Sequence, residues 1–538
     1  MSTASSWLHG AALYQIYPLS FLDGNGDGWG DLEGVLAGLD HVASLGVDGI
    51  WLCPFYPSPL KDFGYDIADH RAVDPRLGDL AAFDRVLARA HGLGLKVLVD
   101  LVCGHTSDEH PWFAASRRSR QGAFADWYVW ADARPDGSPP NNWLSVFGGA
   151  AWTWEPRRRQ YYLHHFLSSQ PALNLHHGPA LEGVLDNARF WLERGVDGFR
   201  IDAVDFFAHD PDLRPNPAMP WTGEPPLKPF ALQRHQHDMM HPSIHTVLER
   251  LRATVDDYPG AVLLGELSSQ PGAGARIASY GAPGRLHAAY SLSLAKQPFS
   301  ARALAAALTG TPDARAICWS FSNHDVERAV SRWRPDGADP ERFAALLASL
   351  FCALPGTLCL YQGEELALPQ AEIPRERLRD PFGIAYWPEF RGRDGSRTPM
   401  PWRAAAPHAG FTTAPEAWLP VPEAHHALAI DAQERRAGSP LEVWRAALRL
   451  RRNHPALAVG VLSAVEERGD VLSFERSADG ESLLAVFNLA DRPAEVALRR
   501  TPRLLPLDLP GVPAADVTPD GRTLVLPPLG AFLALRRE

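Results

Sequence analysis

Residues 96–101 read Lys-Val-Leu-Val-Asp-Leu, KVLVDL, and a helical pattern near Leu80 to Leu93 precedes them. A short run almost continuous in apolar residues is what a parallel strand buried on both faces requires. The same unit recurs in both directions along the chain. Leu13 to Tyr17 and Gly49 to Leu52 come before it, with a helical pattern from Leu32 to Ser44 between them. Gly198 to Ile201, Val262 to Gly265, His287 to Ser291, Ile317 to Ser320 and Thr357 to Tyr361 come after it. Eight such runs alternating with helices is the count of an α/β, (β/α)₈ TIM barrel, although a doubly wound open sheet gives a similar pattern.

The spacing of the runs sets the domain boundaries. Residues 1–103 carry the first part of the barrel domain A. Residues 104–174, rich in Trp, Arg, Pro and Gly, are too long for an unstructured loop inside a compact domain and read as an inserted domain B after strand three. Residues 175–455 return to the barrel, with a second insertion from Leu366 to about Pro440 and a last helix near Leu441 to Arg452. Residues 456–538 change to short alternating runs (Val471 to Glu475, Leu483 to Asn488, Ala494 to Leu498, Ala531 to Leu535), the pattern of a C-terminal antiparallel β domain.

Composition narrows the function classes. Of 538 residues, 46% are hydrophobic and 21% charged, so the chain is globular and neither disordered nor fibrous. The net charge of −11 argues against nucleic acid and anionic membrane as partners. Only Lys61, Lys96, Lys228 and Lys296 among the 52 basic residues are lysine, which reads as codon bias rather than a device. Cys53, Cys103, Cys318, Cys352 and Cys359 lack CxxC spacing and read as small buried hydrophobes in a reducing compartment. No basic-then-apolar leader opens the sequence, and its longest apolar stretch, near Leu346 to Tyr361, is broken by Pro355-Gly356. A cytoplasmic protein is expected; composition fixes no oligomeric state. Seventeen Trp and 21 His hint at a site that stacks on and hydrogen-bonds a polar ligand.

Barrel chemistry sits at the C-terminal ends of strands. The fourth run ends GFRIDAV, which places Arg200 and Asp202 two apart on one strand face. A guanidinium there favours the ionised carboxylate that a nucleophile needs. The fifth ends AVLLGEL, with Glu266 beside leucines, where apolar surroundings keep a general acid protonated. The seventh ends FSNHD, adding His324 and Asp325. An Asp after a strand is more often a helix cap and an Arg-x-Asp pair more often structural, so no single residue carries the argument. Three carboxylates at three strand ends together match glycosyl transfer through an oxocarbenium-like state.

These motifs resemble the α-amylase family, glycoside hydrolase family 13, in its oligosaccharide α-glucosidase branch, from about Leu13 to Trp402. The resemblance implies Asp202 as nucleophile, Arg200 as the residue that fixes it, Glu266 as acid/base, and Asp325 as stabiliser beside the sugar-binding His324. It implies that Asp62 and Tyr65 in DFGYDI, His105 after strand three, and Arg397 in RDGSRTPMPW hold the non-reducing glucose. It also implies a retaining, exo-acting enzyme on α-1,4-linked maltose-type sugars, because Ala203 after the nucleophile is small where α-1,6 enzymes of the branch carry Val. Glucosyl transfer to hydroxyl acceptors is implied besides hydrolysis. Phe147 and Phe166, with His164 and His165, are expected to close the pocket from domain B. Gly104 stands where many relatives have an Asn that ligates calcium, so no calcium is expected there. Ala172 replaces Asp in QPALN, with an effect expected on domain B support.

A separate metal site is expected in DGNGDGWGD. Asp23, Asn25, Asp27, the Trp29 carbonyl and Asp31 present oxygen donors at EF-loop-like spacing, suited to a structural Ca²⁺ or Mg²⁺. A turn stabilised by its own side-chain bonds is the competing reading. No organic cofactor is expected. The competing functions are a trehalose- or sucrose-type isomerase of the same family and a non-catalytic binding relative.

Overall fold

The computed structural model describes residues 6–311, 313–498, 503–509 and 511–537. Residues 1–5, on which the absence of a leader partly rests, lie outside them. Eight parallel strands form one sheet: β1 (Ala12–Ile16), β2 (Gly49–Leu52), β3 (Lys96–Leu101), β4 (Gly198–Ile201), β5 (Val262–Leu267), β6 (Ala288–Ser291), β7 (Cys318–Trp319) and β8 (Thr357–Tyr361). Their order is β7-β8-β1-β2-β3-β4-β5-β6. A parallel bridge between Ala289 and Ile317 joins the two edges, so the sheet closes. That closure decides for the barrel and against the open doubly wound sheet.

Buried strands explain why the runs were nearly continuous in apolar residues. β1, β2, β4, β5 and β8 are buried along their whole length. Strand contact is tight at Gly198, whose backbone adopts φ +138 and where an added Cβ would meet the Val262 carbonyl oxygen at 2.1 Å. β3 pairs with β4 so that Asp100 lies directly opposite Arg200. This register brings a carboxylate from one apolar strand onto the guanidinium of the next.

Residues between β3 and β4 hold a three-stranded antiparallel sheet, ordered Trp130–Ala131, Gln160–Leu163, Trp152–Glu155. It has its own small core, including Trp143, Trp152 and Leu163. Ala172 bridges His105, which ties this region to the end of β3 through the backbone. The C-terminal region forms a five-stranded sheet and a three-stranded sheet, both antiparallel. Val461–Arg468, Arg503–Pro506, Asp516–Val517 and Thr523–Leu526 are strands there that the alternation did not disclose. The first of them is largely solvent-facing and its register shifts between Ser463 and Glu466. Such a strand has no regular apolar face to read.

Among the described residues no helix is long and apolar enough to cross a membrane. The five cysteines are free and buried.

Candidate active site

Arg200 gathers three carboxylates, those of Asp100, Asp202 and Glu266. Its side chain is fully buried, with Nη1 donating to Asp100 Oδ1 and to Asp202 Oδ1, each at 2.6 Å. Nη2 donates to Glu266 Oε2 and, at 2.8 Å, to the Tyr290 hydroxyl. The guanidinium carbon lies 4.6 Å from the centre of the Trp51 ring, so one of the seventeen tryptophans serves the site directly. Trp51 Nε1 also donates to Asp100 Oδ2 at 2.7 Å.

One guanidinium cannot neutralise three carboxylates in a buried site, so protons must stay on some of them. Burial pushes Asp100 up to about 7 against the pull of Arg200, with Asp202 adding to the rise. Glu266 is raised in the same way: burial comes first, Arg200 opposes it, and the charges of Asp202, Asp325 and Asp100 add to it. The sequence reading placed the cause in neighbouring leucines. Burial is that cause, and the cluster of carboxylates reinforces it.

Asp325 takes the opposite charge state. Burial disfavours its ionised form, but the guanidinium groups of Arg393, Arg397 and Arg200 outweigh it and hold the carboxyl below the usual range. Arg397 Nη2 donates to Asp325 Oδ1 at 2.7 Å and Arg397 Nε donates to the His324 carbonyl at 2.7 Å. Arg397 is thus a buried brace for Asp325. The group that reaches between Asp325 and Asp62 is Arg393. Its Nη1 donates to Asp325 Oδ1 at 3.1 Å, and its Nη2 donates to Asp62 Oδ1 and Asp380 Oδ1, both at 2.8 Å. Arg393 was not singled out from the sequence, although it opens RDGSRTPMPW four positions before Arg397. Replacing Arg393 with Ala strands two buried carboxylates, and kcat/KM for maltose should fall about 10–100-fold. Steady-state kinetics check this, and an unchanged value contradicts the bridging role.

His324 is buried between two rings, stacked on Tyr65 (5.1 Å, 2°) and on Tyr17 (5.6 Å, 9°). Burial lowers its pKa to about 3, so the imidazole is neutral. Gln15 Nε2 lies 2.8 Å from Nδ1, which makes Nδ1 the acceptor and puts the proton on Nε2. That N–H is buried without a hydrogen bond and lies 3.4 Å from Asp325 Oδ2. His105 Nε2 lies 3.0 Å from the Tyr65 carbonyl and 3.2 Å from Gln170 Nε2, and Gln170 Nε2 also donates to Asp62 at 3.0 Å. Tyr65 turns its hydroxyl to Asp100 (3.3 Å), so it positions His324 and Asp100 from behind.

Domain B closes one side. Phe166 packs on His105 (5.3 Å) and Phe206 (5.0 Å), and Phe147 lies under Arg393 with 5.0 Å from guanidinium to ring centre. Gly104, His105, His165, Phe166, Asp202 and Ala203 line a narrow recess there. His164 does not reach it: its ring nitrogens meet Thr153 Oγ1 and the Phe166 carbonyl inside domain B. A Cβ at Gly104 would find only Phe207 carbons, at 3.6 Å and beyond.

The 23–31 turn is closed by its own polar groups. Asp23 accepts from the backbone N–H of Asn25, Gly26 and Gly28 and from the Thr412 hydroxyl. Asn25 Oδ1 accepts from Asp27 N, and Asp27 Oδ1 accepts from Trp29 N. Asp31 caps the helix Leu32–Ser44 through Gly34 N and also accepts from Gly24 N and Asn25 N. Among the described residues no three His, Cys, Asp or Glu side chains are gathered to hold a metal ion. Every bond to the carboxylates of Asp23, Asp27 and Asp31 comes from a neutral group.

Comparison with known proteins agrees with this geometry. The α-amylase catalytic-domain model matches residues 15–460. A probable α-glucosidase of Rhizobium meliloti (strain 1021) is 47% identical, covering 98% of this chain and 97% of its own. An oligo-1,6-glucosidase of Halalkalibacterium halodurans is 32% identical, covering 93% of this chain and 95% of its own. The crystal structure of an α-glucosyl transfer enzyme superposes with a TM-score of 0.95 at 49% identity, covering 99% of this chain and all of its own. A closed parallel barrel, three carboxylates at the ends of β4, β5 and β7, and a family match over most of the chain give one conclusion: this protein belongs to the α-amylase family of glycoside hydrolases and transglucosylases.

Proposed function

We propose that the chain is a retaining, exo-acting α-glucosidase that cleaves α-1,4-linked, maltose-type sugars and passes glucose to water or to a hydroxyl acceptor. One observation carries the reading: Asp202 and Glu266 hydrogen-bond to the two terminal nitrogens of one guanidinium. That span suits the roughly 5 Å carboxyl separation of retaining enzymes better than the roughly 6.5–9.5 Å of inverting ones. Asp202 attacks the anomeric carbon as Glu266 gives its proton to the departing oxygen. Glu266, now a carboxylate, takes the proton of the incoming hydroxyl as that oxygen displaces Asp202. Asp325, held ionised by its guanidinium neighbours, stabilises the positive charge that develops on the ring in both steps.

Exo action is supported by Asp62, Gln170, Arg393 and His105, whose side chains interlock beside the site and would cap a pocket for one terminal sugar. The linkage preference rests on Ala203, a small residue in the left-handed region (φ 45, ψ 51) at the edge of the recess. Product analysis with maltose, isomaltose and sucrose tests the reading. Glucose should form faster from maltose than from isomaltose. Trehalose or a rearranged sucrose as main product would make the enzyme an isomerase, and no release from a chromogenic α-glucoside would make it a binding relative.

The five buried free thiols support a reducing, cytoplasmic setting. The 23–31 turn would hold its Ca²⁺ or Mg²⁺ through Asp23, Asn25, Asp27, the Trp29 carbonyl and Asp31, in a structural role. Thermal unfolding with EDTA and after adding Ca²⁺ or Mg²⁺ measures this. A melting point lowered by EDTA and restored by one ion, with no such response in Asp27→Ala, is expected; an unchanged melting point contradicts the site.

A further inference from the structure

The mouth of the pocket carries positive charge that a neutral sugar does not need. From Asp325 outward the contacts run unbroken: Arg393 lies on Asp325, its guanidinium over Phe147, and Phe147 meets Phe382 at 5.0 Å. Lys228 ends this line, its ammonium 4.1 Å from the centre of the Phe382 ring and 4.9 Å from that of Phe390. It is half-buried and has no carboxylate on it among the described residues. Lys296 stands beyond the acid/base, donating at 2.7 Å to the hydroxyl of Ser269, three positions after Glu266. Lys228 feels Lys296 and Arg393 as like charges and Asp380 and Asp325 as opposite ones, and Lys296 feels Glu266 and Asp325. They are two of only four lysines in the chain.

Glu266 protonates the departing oxygen, so its side of the pocket is where leaving group and acceptor sit. Lys296 reaches Ser269 on that side, and Lys228 is partly desolvated over two aromatic faces at the end of the line from Asp325, where a neutral hydroxyl compound gives neither ammonium a partner. An anionic group on the acceptor would pair with an ammonium.

We propose that Lys228 and Lys296 form an acceptor subsite for hydroxyl compounds that carry an anionic group, a carboxylate or a phosphate. The inference rests on the glucosyl-transfer reading. Its chemistry is the second step already described, with the acceptor hydroxyl losing its proton to Glu266 and the anionic group unchanged.

The test offers maltose as donor with matched acceptors, benzyl alcohol against 4-(hydroxymethyl)benzoate and glucose against glucose 6-phosphate. The transfer ratio, charged over neutral, is measured within each variant so that a general loss of activity cancels. The wild type should favour the charged member by about five-fold or more at low salt, with the preference collapsing toward one in about 0.5 M NaCl. Lys228→Met and Lys296→Met should each lower the ratio, while Lys228→Arg keeps it. A preference confined to one pair assigns the anion as carboxylate or phosphate. A ratio at or below one in the wild type, or one that neither methionine variant changes, overturns the subsite. No transfer to any acceptor, with hydrolysis intact, overturns the transfer reading along with it.

Discussion

Glu266→Gln should lower kcat for maltose by about 10³–10⁴-fold while leaving a fluoride or 4-nitrophenyl α-glucoside far less affected in its first step. The amide keeps the shape and one hydrogen bond to Arg200 but has no proton to give. A leaving group that departs without protonation bypasses that loss, whereas the amide still cannot activate the incoming water. A burst of nitrophenol followed by slow turnover is therefore expected, the mark of accumulated glucosyl-enzyme. The pH profile adds a second readout. Glu266 must enter the first step protonated, and its pKa is raised, so wild-type activity on maltose is present below that value and lost as pH rises through it. The variant's first step on the activated substrate should lack this basic limb. Full activity of Glu266→Gln on maltose contradicts the assignment.

Arg200→Met is expected to have the largest effect on the fold. It removes the one cation shared by Asp100, Asp202 and Glu266 and leaves them buried around an apolar side chain. Breaking a buried ion pair from one side costs about 3–5 kcal/mol, and a lysine cannot replace the forked guanidinium. Urea unfolding should show the loss in Arg200→Met and in Arg200→Lys. Adding Asp100→Asn to Arg200→Met should return part of it by removing one stranded charge. The same cluster sets a pH dependence. The folded state keeps protons on Asp100 and Glu266 that an unfolded chain would release. Their contribution to stability is full below the ordinary carboxylate range and is lost as pH rises through about 7 for Asp100. Equal stability of Arg200→Met and wild type would remove the central role of that residue.

The legibility of this fold follows from where each element sits. Barrel strands are buried on both faces, so KVLVDL, GFRID and TLCLY read as apolar runs, and the strand-end carboxylates stand out against them. Val461–Arg468 lies at an exposed edge and reads as loop. Within the site, residues at strand ends were legible because the chemistry and the position coincide. Asp100 was not, since it is one acidic residue inside an apolar strand, and its meaning comes from a register with Arg200 that no local pattern encodes. Gln15 is silent for the same reason: its role is to fix the tautomer of a histidine 309 positions away. Arg393 and Arg397 share one short motif, and only the folded loop shows that the first bridges Asp62 and Asp325 while the second braces Asp325 from beneath.

The central claim is that Asp202 and Glu266 act from one guanidinium as nucleophile and acid/base of a retaining reaction. The direct measurement is proton NMR of 4-nitrophenyl α-glucoside during the first turnovers, with and without hydroquinone as acceptor. The account predicts α-glucose as the first sugar released, before mutarotation, and an α-linked hydroquinone glucoside when acceptor is present. β-Glucose appearing first would contradict it.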